Sequence, residues 1–225
     1  MAAITKASVN LITDDYLIVC EGSGDVAFVK YLCRERTITG YCVEETGSGN
    51  SGFYRYFDGL HARSDADRLK GVIVISDNDE APDKSFDAVR SQLKKAKVPH
   101  PDNPMEIARQ TSLGFCVMVM MVPFSTAGRS KGCLETILLE AAVDRHPALA
   151  KCVQEYSACA GATGWAKCGS IDKLRLRCLL SAAVPEDPNL GLQYALNPDR
   201  GLIPLGAACF DEIANELRQF IAKVR

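Results

Sequence analysis

Two short apolar runs, residues 16–20 and 71–75, constrain the fold of this chain more than any other feature. Both contain β-branched side chains and lack the alternation of polar and apolar residues that marks a strand with one solvated face. They are therefore predicted to be buried parallel strands. Similar runs at 38–43 and 115–122 alternate with helical patterns up to about residue 143, which indicates an α/β sheet.

The remaining segments complete a prediction of the whole architecture. Residues 1–146 are expected to form a four-stranded parallel sheet with helices on both faces, in the strand order 2-1-3-4 that is common in doubly wound sheets. Residues 147–225 are expected to form a mostly helical C-terminal extension packed on this domain. Helices are predicted near residues 25–36, 53–60, 85–97, 134–143, 148–158, 171–183 and 209–224, with a turn at 80–84 and a loop at 184–208.

Acidic residues follow each of the two apolar runs. Glu21 and Asp25 come after the first, and Asp77 and Asp79 come after the second. The carboxyl ends of parallel strands meet at one edge of the sheet, where ligands bind. Carboxylates gathered there repel one another unless a cation lies between them, so the pattern predicts a divalent-metal site. The alternative is that Asp77 and Asp79 only cap the following turn.

Two further charged residues are candidates for the same edge. Glu135 begins the helix after the fourth predicted strand and is a candidate ligand or base, although the helix dipole alone favours a glutamate there. Lys173 is the best candidate for a cation near a phosphate group, the alternative being a solvated helix face. Arg129 and Lys131, in the loop before Glu135, are weaker candidates for the same role.

Composition limits the partners and the compartment. The 225 residues carry a formal net charge of -2, so any surface that binds nucleic acid must be local. The ten cysteines include no CxxC pair, which argues against zinc, and they suit a reducing compartment. Neither a signal peptide nor a membrane span is expected, since the longest apolar stretch is about ten residues. A cytoplasmic location without membrane contact is predicted.

The acidic pattern resembles the Toprim domain of topoisomerases, primases and related nucleases. That family has a glutamate after its first strand and a DxD motif after its third, which correspond here to Glu21 and to Asp77 with Asp79. The resemblance covers about residues 16–143. It implies that Glu21 acts as a general acid/base or metal ligand and that Asp77 and Asp79 form a magnesium site.

The closer likeness is to nucleases of the overcoming-lysogenisation-defect kind and to small standalone Toprim-related proteins. These carry an acidic residue four positions after the glutamate, a Gly-x-Leu-Glu stretch after strand four and a downstream lysine. Here those features fall on Asp25, on residues 132–135 with Glu135, and on Lys173. The ATPase motif GxxxxGK[ST], which often accompanies such nucleases, does not occur in this sequence.

This resemblance implies a function. Mg²⁺ or Mn²⁺ would be held by Glu21, Asp77 and Asp79, with a second ion at Asp25 and Glu135. Glu21 and Lys173 would be the catalytic residues. The expected activity is nuclease or nucleotidyl-transfer chemistry on nucleic acid, in phage defence or DNA repair.

Two other interpretations stay open. One is a non-catalytic Toprim-like scaffold that binds nucleic acid or a partner protein. The other is a dinucleotide-binding fold, because residues 22–27, which include Gly22-Ser23-Gly24, fit G-x-G-x-x-A, and Glu44 or Glu45 follows about twenty residues later. Against it, Glu21 and Asp25 would place negative charge beside a pyrophosphate. Whatever the activity, a homo-oligomer or a partner protein is a further open expectation for the chain.

Overall fold

A five-stranded sheet forms the centre of the molecule. The structure is a computed structural model, and it describes residues 11–47, 52–109, 114–124 and 130–224. Along the sheet the strands lie in the order β2-β1-β3-β5-β4. Their bounds are β1 Tyr16–Cys20, β2 Tyr41–Glu45, β3 Gly71–Asp77, β4 Ile107–Arg109 and β5 Cys116–Val122.

The fifth strand corrects the prediction of a four-stranded parallel sheet. Strands β2, β1, β3 and β5 are parallel and have the predicted order 2-1-3-4. Strand β4 pairs antiparallel with β5 at the edge, with Ile107 opposite Met118 and Arg109 opposite Cys116. Because β4 is only three residues long, it is too short to produce the alternation by which strands are recognised in sequence.

Eight helices connect and cover the strands within the described residues. Two of them differ notably from the sequence prediction: α3 begins at Pro82, since proline suits the first helical turn, and α7 is a short helix inside the predicted loop at 184–208. The bounds are α1 Ser23–Glu35, α2 Phe53–Leu60, α3 Pro82–Lys95, α4 Leu134–Arg145, α5 Pro147–Cys159, α6 Cys168–Ala183, α7 Leu192–Ala195 and α8 Asp211–Val224.

Helices cover both faces of the sheet, as predicted. Successive strand side chains point to opposite faces, so Ile18 and Ile73 join one hydrophobic cluster while Val19 and Val74 join the other. The first cluster includes side chains of α1, α4, α5, α6, α7 and α8, and the second those of α2 and α3. Burial on both faces explains why these strands lack polar alternation.

The C-terminal helices belong to the first of these clusters. Leu179 of α6 and Leu217 of α8 are fully buried in it, together with Leu138 of α4. The predicted division into two domains at residue 147 stays a prediction. Packing of α6 against α4 has a direct consequence for the site, because it brings the first turns of these two helices together.

Two further observations bear on the predicted compartment. No helix in the described ranges is both long and apolar enough to cross a bilayer. All nine cysteines whose side chains are described are free thiols. The cytoplasmic location itself stays a prediction.

Candidate functional site

A cleft of about 450 Å³ lies at the carboxyl edge of the parallel strands. Five carboxylates line it, from the ends of β1, β2 and β3 and from the first turns of α1 and α4, and one lysine from α6 completes the charged lining. These residues are Glu21, Asp25, Glu45, Asp77, Glu135 and Lys173. The structure therefore brings together five of the six residues that the sequence singled out for this edge, in addition to Glu45.

Glu21 connects the ends of β1 and β3. Its Oε1 accepts a hydrogen bond from the hydroxyl of Ser76 and another from the backbone N–H of Asp77, at 3.2 Å. Burial raises the pKa of Glu21; these two hydrogen bonds oppose the rise, and the charges of Asp25 and Asp79 add to it. Sequence reasoning missed Ser76, whose signal is a polar residue at the end of an otherwise apolar strand.

Asp25 lies in the first turn of α1, which Gly22 immediately precedes as the N-cap residue. Its Oδ2 accepts a hydrogen bond of 3.0 Å from the backbone N–H of Gly22. This is the usual way in which an acidic side chain satisfies a free N–H at a helix start. Burial raises the pKa of Asp25 to about 6; the bond from Gly22 opposes the rise, and the charge of Glu135 adds to it.

Asp77 is the last residue of β3 and the most strongly perturbed carboxyl group in the cleft. Its Oδ1 accepts a hydrogen bond of 2.9 Å from the backbone N–H of Leu134, at the start of α4. Burial raises the pKa of Asp77 to about 8, and the charges of Asp25 and Glu21 contribute to the rise. At neutral pH without a cation, this group is therefore mostly protonated.

Glu135 and Lys173 form the opposite side of the cleft. Their Oε2 and Nζ atoms are 3.7 Å apart, and the lysine side chain is 51% exposed, so it is free to reach a ligand. Burial lowers the pKa of Lys173, but Glu135 and the other nearby acidic groups outweigh this effect, so the net shift is upward. Lys173 therefore carries a full positive charge beside the carboxylates.

Thr136 links α4, which carries Glu135, to α6, which carries Lys173. Its Oγ1 accepts a hydrogen bond of 3.1 Å from the backbone N–H of Cys133 and donates one of 2.7 Å to Oδ2 of Asp172. Thr136 directly follows Glu135 in the sequence, and Asp172 directly precedes Lys173. Neither was identified from the sequence, because the contact joins residues that are far apart along the chain.

Asp79 departs from the expected arrangement. It is exposed, has a φ of +50°, and lines a neighbouring cavity instead of the acidic cleft. Its backbone N–H donates to the carbonyl of Gly132 at 2.7 Å, and the N–H of Gly132 donates back at 2.9 Å. Strand β3 ends at Asp77, so the extended geometry that would place Asp77 and Asp79 on one face does not continue to Asp79.

The donor chemistry of the cleft fits a hard divalent cation. Glu21 and Asp77 each use one oxygen for protein hydrogen bonds, and in the described part of the chain the second oxygen of each accepts none. Mg²⁺ prefers such carboxylate oxygens and keeps part of its water shell. As the side chains stand, no group of three or more His, Cys, Asp or Glu residues in the described ranges is arranged to hold a metal ion.

The contacts argue against the dinucleotide interpretation. The backbone N–H of Gly22 is already bonded to Asp25, whereas a pyrophosphate would need the helix start for itself. Glu44 accepts hydrogen bonds from the hydroxyl of Tyr56, at 2.5 Å, and from Arg63, at 2.9 Å, so it is not available for a ribose. Glu45, by contrast, lines the cleft.

Of the two weaker cation candidates, only Lys131 lies among the described residues. Lys131 is exposed and lines neither the cleft nor the neighbouring cavity, and Arg129 lies outside the described residues.

Comparison with known proteins gives one match. A family model described as "Protein of unknown function (DUF3226)" matches residues 15–222, which is nearly the whole chain. No curated protein and no solved structure shows significant similarity to the chain.

Proposed function

We propose a function for this chain, which belongs to the DUF3226 family of proteins of unknown function: divalent-metal-dependent phosphodiester chemistry on nucleic acid. One observation carries the proposal. Five carboxylates and one lysine, from segments far apart in sequence, line a single cleft at the carboxyl edge of the parallel strands. Neither core packing nor helix capping requires so many like charges in one place.

The electrostatics support a cationic occupant. Glu21, Asp25 and Asp77 all have raised pKa values, with burial as the main cause and neighbouring carboxylates as a further cause. Carboxyl groups whose ionised forms are disfavoured by burial and by neighbouring like charges are typical of functional sites. A divalent cation would favour the ionised forms and bring their free oxygens together.

The chemistry follows from the groups present. When bound, Mg²⁺ or Mn²⁺ supplies a Lewis acid that stabilises negative charge on phosphoryl oxygens and activates water. Glu21 and Asp77 would hold the ion, and Asp25 and Glu135 would serve a second one. Lys173 would bind a non-bridging phosphate oxygen, since its side chain is half exposed beside Glu135.

The proposal includes the resemblance to Toprim nucleases. In its support, Glu21 directly follows β1 and Asp77 ends β3, the positions of the Toprim glutamate and of the first aspartate of DxD. Asp79 would have a different role from Asp77, because it lines the neighbouring cavity. Glu21 would act as ligand or as general acid/base; Ser76 holds the carboxylate in place for either role.

The test is cleavage of supercoiled plasmid, single-stranded DNA and RNA in Mg²⁺, in Mn²⁺ and in EDTA. Asp77→Asn and Glu21→Gln keep the shape of each side chain and remove its charge. Each is expected to lower the rate by at least about 100-fold, because the chemistry depends on the metal. Asp58→Asn, which changes an exposed carboxylate of α2 outside the cleft, is the matched control and should cleave like the parent chain.

Two results would count against this function. Cleavage that persists in both cleft variants would come from a contaminant or another site. A rise in melting temperature with Mg²⁺ that is lost in Asp77→Asn, without cleavage of any substrate, would favour the metal-binding scaffold over the nuclease.

A further inference from the structure

A second cavity, of about 390 Å³, adjoins the acidic cleft and shares Lys173 with it. The second cavity combines two lysines with hydroxyl, thiol and acidic side chains. Its polar lining includes Lys167, Lys173, Ser170, Cys133, Asp79 and Glu80. Because one lysine lines both cavities, a ligand long enough to fill both would pass this side chain.

Lys167 is the second cation of this cavity. It is exposed, immediately precedes α6, and forms no ion pair with any described residue. Lys173, in contrast, already faces Glu135. Lys167 therefore supplies a positive charge that is not held in a close ion pair, in a cavity that Asp79 and Glu80 also line.

An exposed tryptophan lies next to Lys167. Trp165 is the only tryptophan of the chain, and 46% of it is exposed to solvent. Trp165 and Lys167 both have extended backbone conformations, and their Cα atoms are within about 7 Å of each other, because two residues cannot span more. An exposed aromatic side chain thus lies two residues before a lysine that lines this cavity.

A second exposed aromatic residue is close in sequence to a residue of the acidic cleft. Tyr194 is 64% exposed and lies two residues after Leu192, which lines the acidic cleft. The guanidinium carbon of Arg200 is 5.9 Å from the centre of the tyrosine ring. In the described part of the chain only three aromatic side chains are counted among the exposed large hydrophobic residues, and two of them are within two residues of a residue that lines one of these cavities.

We propose that Trp165, Lys167 and Lys173 form a binding site for an unpaired stretch of nucleic acid, with a base stacked on Trp165 and its phosphates on the two lysines. Stacking on an aromatic side chain requires a base that is free of a duplex, so the ligand is single-stranded. A strand bound there would continue past Lys173 into the acidic cleft. The inference deepens the proposed function by naming its substrate as single-stranded, and to that extent rests on it.

The binding test needs neither metal nor turnover. A short oligothymidylate is titrated into the full-length protein in EDTA at low salt, with Trp165 fluorescence as one readout and the anisotropy of a labelled oligonucleotide as the other. Quenching of Trp165 is expected, because it is the only tryptophan and would contact the base. Trp165→Ala should weaken binding about 5- to 100-fold, and Trp165→Phe should retain most of the affinity.

The cation is tested by salt dependence. Lys167→Gln should reduce the slope of log affinity against log salt by about 0.7, the value for one phosphate contact on a single strand. Lys151→Gln is the matched control: Lys151 is an exposed lysine of α5 that lines neither cavity, and it should bind like the parent chain.

Several outcomes would overturn the inference. Unchanged Trp165 fluorescence at saturation, equal affinity of Trp165→Ala and Lys151→Gln, or equal binding of a duplex would each do so. Failure of this inference and of the proposed function can be told apart. Metal-dependent cleavage that Trp165→Ala leaves unchanged overturns only the single-strand site. Stacking of the oligonucleotide in EDTA, without cleavage in Mg²⁺ or Mn²⁺, would support the single-strand site and contradict the proposed metal-dependent chemistry.

Discussion

The backbone N–H of Leu134 donates a 2.9 Å hydrogen bond to Oδ1 of Asp77. This contact fixes the start of α4 to the end of β3 and directs the side chain of Asp77 into the cleft that Glu135 also lines. An acceptor is needed at this position whether or not the group is charged. The structural role of Asp77 and its charge can therefore be separated by mutation.

Asp77→Asn is expected to stabilise the metal-free protein at alkaline pH. The asparagine keeps an oxygen for the N–H of Leu134 and removes a charge that burial penalises, as the pKa of about 8 shows. Thermal melting in EDTA at pH 9 should show a rise of a few degrees, and at pH 5, where Asp77 is already protonated, little change. The variant should also lose any rise in melting temperature that Mg²⁺ produces. Equal melting temperatures of variant and parent at pH 9 would contradict this account.

The metal-free protein should become less stable as pH rises from 4 to 9. Because burial raises the pKa of Asp25 to about 6 and of Asp77 to about 8, the native state binds more protons than the unfolded state over this range. Their contribution to stability is complete below pH 4 and is lost as pH rises through 6 and then 8. Urea denaturation in EDTA at several pH values measures this slope.

A double variant provides the control for this slope. Asp25→Asn combined with Asp77→Asn should make the dependence much weaker, since neither position then titrates, although Glu21 keeps a pKa raised by burial. Saturating Mg²⁺ should also flatten it in the parent chain, because a cation favours the ionised carboxylates. A parent chain whose stability rises between pH 5 and pH 8 in EDTA would show that these groups do not carry the shifts inferred here.

Much of the fold could be predicted from the sequence. Strands β1 and β3 are continuous apolar runs because both of their faces are buried, and that pattern is visible without any tertiary information. Parallel strands with helical connections then bring their carboxyl ends to one edge. This is why Glu21 and Asp77 could be placed at the same cleft before the structure was known.

The remaining features depend on contacts between distant segments. Asp79 lies outside the cleft because its backbone pairs with Gly132, which is 53 residues away. No local sequence pattern indicates that pairing. The same holds for Thr136, whose partner Asp172 lies on α6. Strand β4 exists only through its pairing with β5, and three residues carry too little pattern to reveal it.

The stability of the protein should depend on a cluster of Arg63, Glu44 and Asp65 at the end of β2. Arg63 bridges Glu44 and Asp65, and its own side chain and those of both carboxylates are less than one-fifth exposed. Arg63→Ala would leave both carboxylates without their cation, so it is expected to destabilise the protein by about 3 kcal/mol in urea denaturation. Arg90→Ala breaks the exposed pair with Asp102 and should cost less than about 1 kcal/mol. If both variants lost a similar free energy of unfolding, the burial of this cluster would not account for its contribution to stability.

Gly132 is the position at which a single methyl group should disturb the site most selectively. Its φ is +131°, and a Cβ there would lie 2.5 Å from Oγ1 of Thr136, the atom that links α4 to α6. Gly132→Ala should therefore cost about 3 kcal/mol of stability, from backbone strain and the collision together, and lower any metal-dependent activity by displacing Glu135. Gly161→Ala is the matched control, because its φ of +70° is strained while nothing lies within 4 Å of the added Cβ. It should cost only about 1 kcal/mol and leave activity unchanged. Urea denaturation measures the free energy of unfolding of both variants. Equal losses would mean that the collision with Thr136 does not destabilise the protein.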